Sequence, residues 1–251
     1  MFNIDRFNEI LVQFKNDFRG EHWKNEQYKW IAVKRFQDVW DINAPDFLDM
    51  FMKATDKTFN LLANMSNFPR GMIKDFATAD PEFTRAMFIN LFDETKDLAS
   101  RYEKFASDAE EIRIKYDNGT WRNHYQSTNA ISTYLWLRYP DKYYIYKYSE
   151  CRAVARELNA DFVPRKGRSA DNILGSIRLY DEICSLLKSD SELKEILESC
   201  VSDACYPDAE MKTLTIDFGF YISRYLIDLQ CSLLADQKMQ FVFLSKTCLY
   251  N

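Results

Sequence analysis

The sequence contains little glycine and proline, with six residues of each type among 251. Barrels and sandwiches of β-strands need many tight turns, in which these two residues are enriched, so their scarcity argues against such folds. Apolar residues recur instead at spacings of three and four, as in the set Ile4, Phe7, Leu11, Phe14 and Phe18. This spacing is typical of amphipathic helices. We therefore predict a mainly α, multi-helix globular domain.

One segment departs from this helical pattern. Residues 142–148 (KYYIYKY) are rich in aromatic residues and begin shortly after Pro140. Such runs are typical of β-strands, and we expect one short strand or small hairpin here.

The clearest turn signal is the sequence DNGT at 117–120. It predicts a division of the chain into three parts. These are an N-terminal helical subregion at 1–117, a second, mainly helical subregion with a basic face at 118–226, and a C-terminal tail at 227–251.

The sequence also lacks a run of about 18 uncharged apolar residues, which a membrane-spanning helix would require. Its first residues do not have the basic and apolar regions of a signal peptide. We expect a cytoplasmic protein without membrane contact. The six cysteines form no CxxC pair, and only two histidines are present, His22 and His124. This composition predicts reduced thiols and no metal site.

No familiar catalytic or nucleotide-binding motif occurs in the sequence. The glycines of GxxxxGK[ST] and GxGxxG, which let backbone N–H groups cradle phosphates, are absent, as are GxSxG and HExxH. We therefore predict no catalytic residues, no cofactor and no enzymatic activity for the chain by itself. A site of a new kind, in which His124 meets carboxylates, is an alternative.

Charge is distributed unevenly along the chain. The net charge is −5, but residues 138–178 contain nine Lys or Arg against five Asp or Glu. Basic side chains can hold DNA phosphates, and the candidate DNA contacts are Arg138, Lys142, Lys147, Arg165, Lys166 and Arg168. Aromatic rings can stack on bases, and the candidates for base stacking or recognition are Trp121, His124, Tyr125 and Tyr144. The alternatives are that Trp121 and Tyr125 pack in the core while His124 caps a helix or faces water, and that the alternating tyrosines form the core and surface faces of a strand.

Several short segments carry a family resemblance: WIAVKRFQ at 30–37, FPRGMI at 68–73, NHYQ at 123–126, YLWLRYP at 134–140 and KYYIYK at 142–147. Together they resemble the N-terminal region of bacterial McrB-like proteins over residues 1–225. These are modular restriction ATPases or GTPases related to the systems specific for 5-methylcytosine. The resemblance implies a recognition module, here without a motor motif.

The function implied by the resemblance is non-catalytic recognition in a restriction or anti-phage defence system. The module would bind DNA, including DNA that carries a modified base, and reading such a base would require its extrusion from the duplex. Motor and nuclease subunits of a restriction complex would be its protein partners. The alternative is a protein-interaction or assembly domain without nucleic-acid contact.

Overall fold

The computed structural model describes residues 2–63, 67–167 and 170–224. Helices dominate these residues, which confirms the prediction of a mainly α, multi-helix fold. In chain order they are α1 (Ile4–Asp17), α2 (Trp23–Glu26), α3 (Tyr28–Val39), α4 (Phe47–Ala54), α5 (Pro69–Ala79), α6 (Pro81–Leu91), α7 (Leu98–Tyr116), α8 (Thr128–Arg138), α9 (Tyr148–Glu157), α10 (Ala170–Lys188), α11 (Ser191–Cys200) and α12 (212–224). A π-helical turn, Phe18–His22, joins α1 to α2, and a 3-10 turn, Phe59–Leu61, follows α4.

Short acidic side chains fix where several helices begin. The carboxylates of Asp46, Asp80, Asp97 and Asp190 each accept a hydrogen bond from the backbone N–H three residues ahead. These N–H groups have no acceptor within the helix, and the carboxylates also lie at the positive end of the helix dipole. Pro81 follows its capping aspartate as the first residue of α6, where a missing N–H breaks no helical hydrogen bond.

Helix α8 lies in the interior of the fold. All of its residues at 130–137 are buried, and it packs against α3. Its Tyr134 ring meets the Phe88 ring of α6 edge-on, with 5.2 Å between ring centroids. Because α8 is buried along its length, it reaches cavities at its two ends. Asn129 lines one cavity and Arg138 lines another.

The strand expected at 142–148 is absent, since the described residues contain no β-strand. Residues 139–147 form an irregular connection between α8 and α9. A strand needs a neighbouring strand to bond its backbone groups. This connection instead bonds to side chains, as the Tyr146 N–H donates to Ser132 Oγ over 2.9 Å. Its alternating aromatic residues therefore reflect packing between helices, where Tyr144 lies against α10.

The predicted turn at 117–120 separates α7 from α8. Asp117 Oδ1 accepts hydrogen bonds from the N–H groups of Gly119 (2.8 Å) and Trp121 (3.0 Å). Gly119 has a φ of +91°, a conformation that glycine adopts without steric cost. This part of the sequence prediction therefore has a direct structural counterpart.

Buried side chains on both sides of that turn belong to one hydrophobic cluster. The Trp30 indole, for example, donates to Asp208 Oδ2 over 3.1 Å and so connects α3 to the segment that precedes α12. The division into 1–117 and 118–226 stays a prediction, and 227–251 lies outside the described residues. Within the described ranges, no helix has both the length and the apolar character needed to cross a membrane.

Candidate functional site

The most promising site is a small cavity where α3, α8, α9 and α12 approach one another. Its volume is about 160 Å³, and its lining includes Tyr28, Asn129, Lys147 and Phe220. Apolar protein cavities of roughly 150 Å³ accommodate one benzene ring. The space therefore fits a single aromatic ring and is too small for a drug-sized ligand. We call it the Tyr28–Phe220 cavity.

A buried ammonium group lies close to both aromatic rings of the Tyr28–Phe220 cavity. Lys29 Nζ lies 4.5 Å from the centroid of the Phe220 ring and 5.6 Å from that of Tyr28. Arg224 lies above the Phe220 ring at 5.4 Å. Cations at these distances are attracted to ring faces. Phe220 therefore has two cations within cation–π distance and lines a space that one further ring can enter.

A buried ion cluster supports the floor of the cavity. Lys29 Nζ donates to Asp217 Oδ1 (2.5 Å) and to Glu26 Oε2 (2.7 Å), and His22 Nε2 lies 2.7 Å from Asp217 Oδ2. Burial alone would lower the pKa of Lys29, but Asp217, Tyr28 and Glu26 outweigh it and raise that pKa. Burial would likewise raise the pKa of Asp217, yet Lys29 and His22 lower it. Lys29 and Asp217 therefore stay charged at neutral pH.

The polar groups of the cavity include one donor and one acceptor that an incoming ring could use. Burial raises the pKa of Tyr28 to about 12 against the opposing effect of Lys29, so its hydroxyl stays protonated at neutral pH. Asn129 Nδ2 donates to the carbonyl of Tyr146 over 3.2 Å, which leaves Asn129 Oδ1 as an acceptor. Within the described part of the chain, the Tyr28 hydroxyl forms no hydrogen bond.

Two cations with exposed side chains stand at the mouth of the cavity and share one carboxylate. Lys147 Nζ lies 2.6 Å and Arg224 Nη2 lies 3.6 Å from Glu150 Oε1. The side chains of Lys147 and Arg224 are 43% and 54% exposed, whereas that of Glu150 is 14% exposed. Solvent screens the attraction of these exposed cations to Glu150, so a phosphate could replace Glu150 as the partner of either cation.

The structure disperses the predicted basic residues. Lys147 lines the Tyr28–Phe220 cavity. Arg138 lies at the opposite end of α8 from the cavity-lining Asn129, and the standard rise per residue places the two about 14 Å apart along the helix axis. Lys142 forms an ion pair with Glu94. Arg165 and Lys166 are exposed in the loop before α10. The sixth candidate, Arg168, lies outside the described residues.

None of the predicted stacking residues lines the Tyr28–Phe220 cavity. Trp121 is half-buried, with its ring edge-on to Phe76. Tyr125 has a φ of +56° and is half-buried beside Phe68. His124 is buried, and its Nδ1 accepts the N–H of Gln126 over 2.9 Å.

Tyr144, the remaining candidate, is buried and held by polar contacts. Its hydroxyl donates to Asp181 Oδ1 over 2.8 Å and accepts from Lys212 Nζ over 2.7 Å. Burial also raises the pKa of Tyr144. In this conformation the ring is enclosed and cannot stack on a base.

Sequence patterns do not single out Tyr28 or Phe220, because 192 positions separate them along the chain. One signal was available: Asp217 interrupts the apolar run at 214–222 (LTIDFGFYI). Buried carboxylates require partners, and the partners of Asp217 are His22 and Lys29, of which Lys29 directly precedes the buried Trp30.

The described residues contain no group of three or more His, Cys, Asp or Glu that could hold a metal ion. The arrangement in the cavity is instead one of aromatic faces, hydrogen-bonding groups and cations, which suits a planar, polar ring attached to an anion. Searches for similar family models, curated proteins and solved structures gave no match for this chain.

Proposed function

We propose that this chain is a non-catalytic recognition module that binds DNA and accepts one extruded pyrimidine base in the Tyr28–Phe220 cavity. The observation that carries the proposal is the cavity itself, with its volume of about 160 Å³ and its cationic mouth. A base that leaves the duplex needs a ring-sized pocket, a stacking surface and groups that bond its edge. The cavity is the ring-sized pocket, Phe220 supplies the stacking surface, and the Tyr28 hydroxyl and Asn129 supply the groups that bond the edge of the base.

The cations at the mouth support the same proposal. A flipped base remains attached to its sugar and phosphates, so its pocket needs positive charge at the entrance. Lys147 and Arg224 occupy that position, where they share the single carboxylate of Glu150 and leave one net positive charge. On binding, phosphate oxygens would take the place of the carboxylate. The exposed Arg165 and Lys166 provide a further basic segment that can contact the DNA backbone.

Phe59 gives a third line of support, because it is a strained and exposed aromatic residue beside the cavity. Its side chain is 61% exposed, its φ is +42°, and its ring meets that of Tyr28 edge-on at 6.1 Å. Bulky residues rarely adopt positive φ, and such strain occurs at ligand-contacting sites. Apolar side chains also enter DNA between base steps. In the complex, Phe59 would fill the gap that the extruded base leaves.

The resemblance to McrB-like proteins gives this module a biological setting. Selection of a target, including one with a modified base, would belong to this chain in a restriction or anti-phage defence system. Nucleotide hydrolysis and DNA cleavage would belong to motor and nuclease subunits.

Fluorescence anisotropy with labelled duplexes at low salt tests the proposal. We expect binding that weakens with salt, because Lys147 and Arg224 together would contribute about 1.8 to the slope of log affinity against log salt. Phe220→Leu keeps an apolar side chain but removes the ring, and we expect a loss of about 5- to 150-fold, the usual range for one stacked base. Duplexes with cytosine or 5-methylcytosine show whether modification is read.

Phe83→Leu, a half-buried phenylalanine that does not line the cavity, is the matched control. If the folded wild-type protein binds no duplex at low salt, or if the two leucine variants bind equally well, the proposal is wrong.

A further inference from the structure

A second cavity lies at the other end of α8, beside the loop that joins α3 to α4. It has a volume of about 320 Å³, and its lining includes Trp40, Asp41, Ile89, Phe92, Arg138 and Tyr139. Ile89 projects from α6 with 53% of its surface exposed, and Trp40 is half-buried. The surface therefore combines an open apolar groove with a few charged groups. We call it the Trp40–Arg138 groove.

The guanidinium group of Arg138 is held in place without an ion pair. It lies over the Tyr139 ring at 4.9 Å, and the Tyr139 hydroxyl is itself fixed because it donates to the carbonyl of Phe92 over 2.7 Å. No carboxylate in the described ranges pairs with Arg138, in contrast to Arg101 and Arg113, which both form ion pairs. A stacked guanidinium keeps its fork of N–H donors available for a carboxylate or phosphate.

Asp41 favours a peptide carboxylate over a DNA phosphate as the ligand of Arg138. Its side chain is exposed in the same groove, and one carboxylate oxygen caps the N–H of Asn43 over 2.9 Å. No cation within the described part of the chain pairs with Asp41. A DNA strand brings one negative charge with every nucleotide and would be repelled here. A peptide can place a single carboxylate on Arg138 while its backbone N–H groups donate to Asp41.

We propose that the Trp40–Arg138 groove binds a peptide segment of a partner protein in which an acidic residue adjoins a large apolar residue. The carboxylate forms a two-pronged contact with Arg138, and the apolar side chain covers Trp40 and Ile89. Interfaces rich in Trp and Arg commonly contain the residues that dominate binding energy. This site is separate from the Tyr28–Phe220 cavity and does not depend on DNA binding.

NMR titration of the full chain tests this proposal, with the Trp40 indole N–H as reporter. The probes are acetyl-Gly-Asp-Leu-Gly-amide and its Asn counterpart. We expect the Asp peptide to shift the Trp40 signal and to bind about tenfold more tightly than the Asn peptide, as a charge-assisted contact would give. Arg138→Gln should remove this difference, whereas Arg165→Gln, at an exposed arginine elsewhere, should preserve it.

Ile89→Ser should weaken both peptides equally, because it removes only the apolar contact. The proposal is overturned if the Asp peptide leaves the Trp40 signal unchanged, or if Arg138→Gln keeps the preference for Asp. It is also overturned if a DNA duplex displaces the peptide from Trp40, since the groove would then belong to the DNA-binding surface. Circular dichroism confirms that each variant is folded.

Discussion

Replacement of Asp217 by Asn tests how the floor of the Tyr28–Phe220 cavity is held together. Asp217 is fully buried and receives Lys29 at 2.5 Å and His22 at 2.7 Å. The variant leaves Lys29 buried, with Glu26 as its remaining acidic partner. Removal of one member of a buried ion pair typically costs about 3–5 kcal/mol, because the other charge stays desolvated. For a chain of this length, such a loss lowers Tm by at least about 6 °C.

Urea denaturation followed by tryptophan fluorescence measures this loss, with Asp38→Asn as the control. Asp38 pairs with Lys34 on the exposed surface, so its replacement should change the free energy of unfolding by less than about 0.5 kcal/mol. The lowered pKa of Asp217 adds a pH signature. Its stabilisation is present above the unfolded pKa of about 3.9 and is lost as pH falls through the lower folded pKa.

The difference in the free energy of unfolding between the wild type and Asp217→Asn should therefore become smaller below pH 4. A variant within 1 kcal/mol of the wild type at pH 7 would refute the assignment of Asp217 as the residue that holds Lys29.

Three further predictions concern the site and the fold around it. Glu150→Gln should strengthen DNA binding about two- to fivefold in anisotropy, because it releases Lys147 and Arg224 from their carboxylate; weaker binding would contradict this. Phe59→Ala should weaken binding to a duplex about tenfold but leave binding to a single strand, which has no paired base stack to fill, within about twofold, and an equal loss on both would exclude the gap-filling role. Burial raises the pKa of Asp208 to about 7 against three donated hydrogen bonds. The free energy of unfolding should therefore fall by up to about 1.4 kcal/mol per pH unit as pH rises from 4 to 7. Urea denaturation of Asp208→Asn should not show this fall.

Much of the helical architecture follows from local patterns in the sequence. The face of Phe7, Leu11, Phe14 and Phe18 is buried as its spacing predicts, although Ile4 on the same face is 44% exposed at the start of α1. Acidic caps mark several helix starts because the capping contact is formed within three residues. Local contacts of this kind can be inferred from one stretch of sequence.

The strand at 142–148 could not be judged in this way. Alternating aromatic residues predict an extended segment whose two sides face different surroundings. Here helices provide those surroundings, and no second strand is needed. Tyr144 is enclosed by α10, and Tyr146 is fixed by Ser132 of α8. Whether an extended segment pairs with a strand depends on its distant neighbours, which the segment itself does not encode.

The candidate site shows the same limit more strongly. Lys147 was accessible to prediction because it lies within a basic stretch of sequence. The cavity that it borders depends on Tyr28 from α3 and Phe220 from α12, and only the packing of the whole chain brings them together. His124 and Tyr144 show the converse case, in which a promising local composition becomes part of the buried interior.

A 19F NMR measurement addresses the central claim most directly, namely that the Tyr28–Phe220 cavity receives a pyrimidine base. The probe is a duplex with one 5-fluorocytosine opposite a mismatched base, which is less costly to extrude than a paired one. We predict a new fluorine resonance in the complex, displaced from the duplex position by the Phe220 ring and altered in Phe220→Leu. A complex whose fluorine resonance stays at the position of the free duplex would contradict the account.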